Sequence, residues 1–281
     1  EGNGQVIVRD HRTQKVIYRN SFSTLFQEWL TYDEAKKPSG KAFENVFLVP
    51  FPKDSVDITV ELRNNRREVT VSMSHTVNPK DWNEITACLK RLKDFHSQSH
   101  RVEHCFDVFE HINYYESLMP TASKYEDYKE TKKNIESLEP IIENLVKDWT
   151  LCHIDAVCDN FLVTENQDIY LIDFEYAAMQ DPDLDLAMFI VYSLFDRQEI
   201  DRIIDIYFEN QVTPLKRYKI YSYIAMVGLL WSNWCEAKQD KELLNSSYAQ
   251  QQYNYAKTFY QIVFNEARNI LEFRELVDSY A

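Results

Sequence analysis

Residues 151–190 read LCHIDAVCDNFLVTENQDIYLIDFEYAAMQDPDLDLAMFI. They contain His153-x-Asp155-x-x-x-x-Asn160, with Asp173 thirteen residues further on. Residues 160–163 and 169–172 are apolar runs on either side of the polar stretch Thr164-Glu165-Asn166-Gln167-Asp168, which predicts a strand–turn–strand. Such a unit can bring three polar side chains to one mouth. Asp155 precedes the first strand, Asn160 begins it and Asp173 follows the second. Asp181 and Asp183 flank Pro182, the pattern of a helix cap.

That set suits phosphoryl transfer, which asks little covalent chemistry of the protein. One carboxylate orients a hydroxyl and takes its proton. An amide oxygen and a second carboxylate hold Mg²⁺ on nucleotide phosphates, and magnesium prefers such hard oxygen ligands. Asp155, Asn160 and Asp173 stand at the spacing of a kinase catalytic loop and its metal-binding aspartate. An isolated H-x-D is common and usually structural; the ordered string that continues into I-D-F-E and D-L-D-L-A is far more specific. A two-carboxylate hydrolase built on Asp155 and Asp173 would leave Asn160 without a role.

Around this segment the chain is mostly helical. Helical spacing is read over 82–95, 182–194, 197–210, 215–238 and 247–281. The first 80 residues are mixed. Residues 5–9 and 16–19 form a predicted hairpin, 21–36 a helix, and 45–51, 56–62 and 68–73 further strands. The expected layout is α+β and two-lobed, like a protein kinase: a small β-rich N-lobe over 1–76, a connector near 71–76, and a larger helical C-lobe over 77–281.

Composition narrows the function. The chain has 281 residues and a formal charge of −14, which argues against a nucleic-acid phosphate track and suits a cationic small molecule. Its four glycines cannot spell G-x-G-x-x-G or G-x-x-x-x-G-K-[ST], nor G-x-S-x-G. Five cysteines without a C-x-x-C pair indicate neither a disulfide framework nor a zinc ribbon, so a reducing cytoplasm is expected. The apolar run 224–231 is too short to span a bilayer, and no membrane role is expected. His75, His96, His100, His104 and His111 lack metal-ligand spacing with any cysteine and read as structural. Oligomeric state is not legible.

The residues quoted above resemble the choline kinases, especially the bacterial ones, within the group that also holds aminoglycoside phosphotransferases. Cys152-His153-Ile154-Asp155…Asn160-Phe161 is similar to that family's C-H-x-D-x-x-x-x-N-F. Tyr170-Leu171-Ile172-Asp173-Phe174-Glu175-Tyr176, then Asp181-Pro182 and Asp185-Leu186-Ala187, are similar to its Y-L-I-D-[WF]-E-Y…D-P…D-L-A. The resemblance runs from about residue 82 to about residue 260. It implies Asp155 as catalytic base, Asn160 and Asp173 on Mg²⁺, and Glu175 near the metal or its water. It further implies that His153 braces the catalytic loop and that Asp185 holds that loop's backbone. Cys158 stands where the family often has proline.

Trp231 and Trp234 lie three apart on a predicted helix and share a face. Tryptophan faces attract quaternary ammonium groups, although a W-x-x-W can equally be a buried helix face. The pair resembles the family's choline-binding pair in the same place. Tyr176, Tyr248 and Tyr253 are candidate further walls, each also readable as core or surface.

The N-terminal lobe departs from the family. Only Glu1-Gly2-Asn3-Gly4-Gln5 stands where G-x-x-[ST]-N is expected, and a truncated start is the expected reason. For ATP, the resemblance implies a basic strand residue, Arg19, with a carboxylate partner on the next helix. Glu34 fits by spacing, with Glu28 as the alternative; an exposed strand arginine is the competing reading. The backbone from Val71 through Met73 to Ser74 would be the adenine hinge. The expected activity is transfer of the ATP γ-phosphoryl group to choline, using Mg²⁺. The alternatives are a kinase for ethanolamine, an aminoglycoside or another small alcohol, and a non-catalytic choline-binding pseudokinase.

Overall fold

The computed structural model describes residues 2–25, 29–37, 47, 49–50, 52, 54–64, 66–78, 80–98, 100–146, 148–164, 168–244 and 246–267. The chain divides into two compact units, Glu1–Ile85 and Thr86–Ala281. The boundary expected at 76/77 thus falls nine residues short of the division. The strand expected to end at 73 runs on to 77, and the first turn of the next helix groups with the sheet.

The first unit is a four-stranded antiparallel sheet in the order β2-β1-β3-β4. Its strands are β1 (Gly4–Asp10), β2 (Val16–Phe22), β3 (Val56–Arg63) and β4 (Val69–Val77). β1 lies between two partners, and its Val6, Ile7 and Val8 are buried. The helix expected over 21–36 is shorter than that: Leu25 and Trp29 are α-helical, but the two ends of the span are not. Ser21 and Phe22 instead complete β2, opposite Gln5 and Gly4. The Phe22 ring lies over Gly4, where a Cβ would stand 2.3 Å from it, so a larger residue there would require the ring to shift. A single 3₁₀ turn, Asp33–Lys36, follows. Most of the strand expected over 45–51, and Glu28, lie outside the described residues. The β3–β4 turn is closed by Asn64, whose side-chain oxygen accepts the N–H groups of Arg66 and Glu68.

The second unit is helical, with two small β pairs. α1 (Trp82–Ser97) leads in from the first unit. Then come α2 (Val108–Ser117), α3 (Tyr128–Glu136), α4 (Glu139–Leu145), α5 (Pro182–Tyr192), α6 (Arg197–Tyr207), α7 (Pro214–Ala237), α8 (Lys241–Leu244) and α9 (Ser247–Glu266). Local chemistry starts these helices. Asp107 caps α2, Asp181 precedes Pro182 and caps α5, and Thr213 precedes Pro214 and caps α7. Asp196 and Glu199 form a reciprocal capping box on α6.

α7 is apolar around most of its circumference, from Ile220 to Leu230, and is accordingly buried on all sides. It packs against α9, α5 and α2. At Gly228 the α9 backbone comes so close that a Cβ would lie 2.8 Å from Gln252 O and Ala256 N. Two charged residues on α7 fix its register. Lys219, 5% exposed, pairs with Asp181 and lies 2.9 Å from Asp183, both at the start of α5. Lys216 lies 2.6 Å from Asp183. Asp181 therefore caps the helix, and both Asp181 and Asp183 anchor α7.

Between these helices lie β5 (Thr150–Cys152), paired with β8 (Ala178–Gln180), and the hairpin β6 (Phe161–Val163) and β7 (Ile169–Leu171). The hairpin was expected from the sequence. The β5–β8 pair was not: three-residue strands are too short to show alternation.

Candidate active site

The loop between β5 and β6 carries His153, Asp155 and Asn160. Ile154 adopts φ 69°, a left-handed conformation that is costly for a β-branched residue. Its neighbours hold it there. Asp185 of α5, fully buried, accepts the His153 N–H at 2.6 Å and the Ile154 N–H at 2.8 Å. His96 of α1 donates from Nε2 to the same carboxylate at 2.8 Å, and its Nδ1 faces the Tyr207 hydroxyl at 2.7 Å. The imidazole of His153 donates from Nε2 to Ile172 O at 2.7 Å, one residue before Asp173. Asp173 itself has φ 64°. These bonds join His153 and Asp185, the residues for which the resemblance implies a brace and a support, to the loop.

Asn160 spends its amide nitrogen on Asp155, donating to the backbone oxygen at 2.8 Å and to Oδ2 at 3.1 Å. Its amide oxygen is left as an acceptor. Ile172 N donates to Asn160 O at 3.0 Å, which ties the loop to the end of β7. The carboxyl pKa of Asp155 is raised, first by burial and also by the negative charges of Asp173 and Glu175; the Asn160 amide and His153 oppose the rise. Asp173 and Glu175 thus sit within electrostatic reach of Asp155, and Asn160 is hydrogen-bonded to it. This all-oxygen donor set fits a hard divalent ion such as Mg²⁺. Asn160, Asp173 and Glu175 would hold the ion, leaving Asp155 for the substrate.

Among the described residues, the one tight cluster of three histidine, cysteine or acidic ligand atoms is elsewhere: His96, Cys152 and Asp185. It is a hydrogen-bonded brace. Burial pushes the Cys152 thiol far above its usual range, and its Sγ is turned to Gln180 O.

Beside Asp155 opens a cavity of about 710 Å³. Trp231 and Trp234 line it from α7, with ring centroids 5.4 Å apart and planes at 83°. Asp155, Glu175 and Tyr176 line it from the catalytic segment. Two of its walls escape the sequence reading: Tyr114 and Tyr115, adjacent on α2. The Tyr114-Tyr115 pair was the available signal, but no motif tied that helix to the site. The other predicted tyrosines are corrected, because neither lines the cavity. Tyr253 stacks on Tyr125 at 3.7 Å, and its hydroxyl is 2.8 Å from Asp127 Oδ1. Tyr248 packs edge-on against Tyr192.

The nucleotide residues expected in the first unit fare differently. Arg19 is exposed on β2, an edge strand, opposite Ile7. Glu34 sits in the 3₁₀ turn, where its Oε2 accepts the Trp29 indole N–H at 3.2 Å. Val71 and Met73 lie mid-strand in β4, opposite Leu62 and Val60, and Met73 is 72% exposed. The stretch expected to be a connector is strand; the chain leaves the sheet only after Val77.

Comparison with known proteins gives two family matches that overlap over residues 62–74. Residues 1–74 match the family model described as Peptidase M64 N-terminus. The protein LicA of Haemophilus influenzae is 25% identical over 181 residues, which cover 59% of this chain and 52% of that protein. The chain thus spans about half the length of the curated relatives it matches. Among solved structures, choline kinase LicA from Streptococcus pneumoniae is 30% identical with a TM-score of 0.55. The match covers 64% of this chain and 63% of that one. A structure of LicA in complex with AMP is 28% identical at the same TM-score and coverage. No helix among the described residues is long and apolar enough to cross a membrane. Residues 62–227, more than half of the chain, match the family model described as Choline/ethanolamine kinase, and the chain belongs to that family.

Proposed function

We propose that this protein transfers the γ-phosphoryl group of ATP to the hydroxyl of choline, giving phosphocholine and ADP. The observation that carries this reading is the cavity in which a tryptophan pair and the catalytic carboxylate share one wall system. A trimethylammonium group seats against the indole faces, each contact contributing about 0.5–2 kcal/mol. It also lies near the C-terminal end of α7, where the helix carbonyls carry partial negative charge. The hydroxyl at the other end of a two-carbon alcohol then reaches towards Asp155.

Asp155 accepts the hydroxyl proton as the oxygen attacks phosphorus. Its raised pKa makes it a better base than an ordinary aspartate. Asn160 orients it through the two amide hydrogen bonds. Asn160, Asp173 and Glu175 would hold Mg²⁺, which when bound would supply charge neutralisation for the nucleotide phosphates. His153 and Asp185 keep the loop in its strained conformation through the reaction. The AMP complex of a similar structure supports nucleotide binding. The described cysteines are all free, which supports a cytoplasmic setting.

A second reading is favoured by a separate observation. The first unit resembles a peptidase N-terminal family and carries Arg19 on an exposed edge strand. A chain whose nucleotide-covering groups are altered in this way would bind choline without turning over ATP. An ADP-release assay with choline, ethanolamine and aminoglycosides, with and without Mg²⁺, separates the readings. Choline- and Mg²⁺-dependent ADP release is expected. Calorimetric choline binding with no ADP release would favour the second reading, and turnover of an aminoglycoside in preference to choline would overturn both.

A further inference from the structure

The cavity already contains a cation. Lys238, the residue that ends α7, lines it, and its Nζ stands 5.2 Å from the centroid of the Trp234 ring. Its ammonium is paired with no carboxylate among the described residues, in contrast to Lys216 and Lys219 at the other end of the same helix. The ring is one of the two indoles that line the cavity, and the carboxylates of Asp155 and Glu175 line the same space. An ammonium over an indole face makes the same cation–π contact that a substrate cation would make there.

We propose that Lys238 is a built-in competitor for the cation site: its ammonium occupies the Trp234 face of the empty cavity and sets the affinity and charge selectivity for the incoming alcohol. This inference rests on the reading of the cavity as a site for a cationic alcohol. Any ligand that takes the Trp234 face must displace the lysine head, at the cost of one cation–π contact. A cationic ligand meets like-charge repulsion in addition, because the flexible lysine stem leaves the ammonium near the cavity mouth. The two effects separate with a pair of ligands of the same shape. Choline carries the charge; 3,3-dimethylbutan-1-ol replaces its nitrogen with carbon and is neutral.

The test is calorimetric titration of the full chain with each ligand, for the wild type, Lys238→Gln and Lys238→Arg. Lys238→Gln is expected to tighten choline about three- to tenfold more than the neutral isostere. Lys238→Arg, which keeps the charge and the stacking, is expected to retain the wild-type ratio of the two affinities. An unchanged ratio in Lys238→Gln, or weaker choline binding by it, overturns the inference while the choline site stands. A wild type that binds neither ligand overturns the reading of the cavity, and the inference with it.

Discussion

The buried carboxylate of Asp185 accepts the backbone N–H of Ile154 at 2.8 Å, and Ile154 has φ 69°. A β-branched residue persists in that region only when its surroundings over-determine it. The second bond, to His153 N at 2.6 Å, and the His96 donor complete the hold. Asp185→Ala removes all three at once and lets the loop relax. The expected result is a fall in kcat of about tenfold to a hundredfold with a smaller change in choline KM. Steady-state kinetics on a variant shown to be folded by circular dichroism checks it. A kcat equal to the wild type would mean that the loop keeps its shape unaided.

The tryptophan pair makes a prediction confined to one substrate. Trp231→Ala or Trp234→Ala should raise choline KM about 3- to 30-fold, the range of one lost cation–π contact, and leave ATP KM within about twofold. Equal effects on both substrates would point to a packing role on α7 instead of a cage.

Burial raises the pKa of Asp155 in the folded chain, so the group binds its proton more tightly there than when unfolded. Its contribution to stability is therefore fully present below the unfolded pKa and is lost as pH rises through the folded value. Asp155→Asn cannot ionise and keeps an oxygen for the Asn160 amide. It should raise Tm at pH 7 by roughly a few degrees, and the gain should shrink as the pH falls through the raised folded value and be gone below the ordinary carboxylate range. A loss of Tm at neutral pH would contradict the assigned direction. A gain fits a residue kept for chemistry at some cost to stability.

Lys219 faces Asp181 and Asp183 in the interior. The pKa of Asp181 is raised, first by burial and then by Asp183, with Lys219 opposing the rise. Lys219→Met leaves Asp181 without its ammonium partner and Asp183 with Lys216 alone, at a cost of about 3–5 kcal/mol. Chemical denaturation should show it as a lower midpoint with an unchanged slope. A change below about 1 kcal/mol would mean that Lys216 alone neutralises the pair.

Much of the site was legible because its residues are close in sequence. Asp155, Asn160 and Asp173 belong to one strand–turn–strand, and the helix that holds Asp185 begins with its own cap at Asp181. What escaped depends on contacts between distant segments. His96 reaches Asp185 across 89 positions, and Tyr114 and Tyr115 reach the cavity from a helix with no motif. Tyr253 was misassigned because an aromatic close in sequence need not share a cavity; α9 contributes none of the residues that line it. In the first unit, apolar spacing over 21–36 started the helix too early: Leu25 and Trp29 are helical, but Ser21 and Phe22 pair with β1. There the cross-strand contact overrides local periodicity.

The most direct measurement is phosphate transfer to choline, followed by ³¹P NMR with Mg²⁺ and ATP, for the wild type and Asp155→Asn. The wild type is expected to accumulate phosphocholine. The variant is expected to lose about 10²- to 10⁴-fold in rate while its choline Kd stays within about threefold. Phosphocholine formed at an equal rate by both proteins would contradict the role of Asp155, and with it the account of this site.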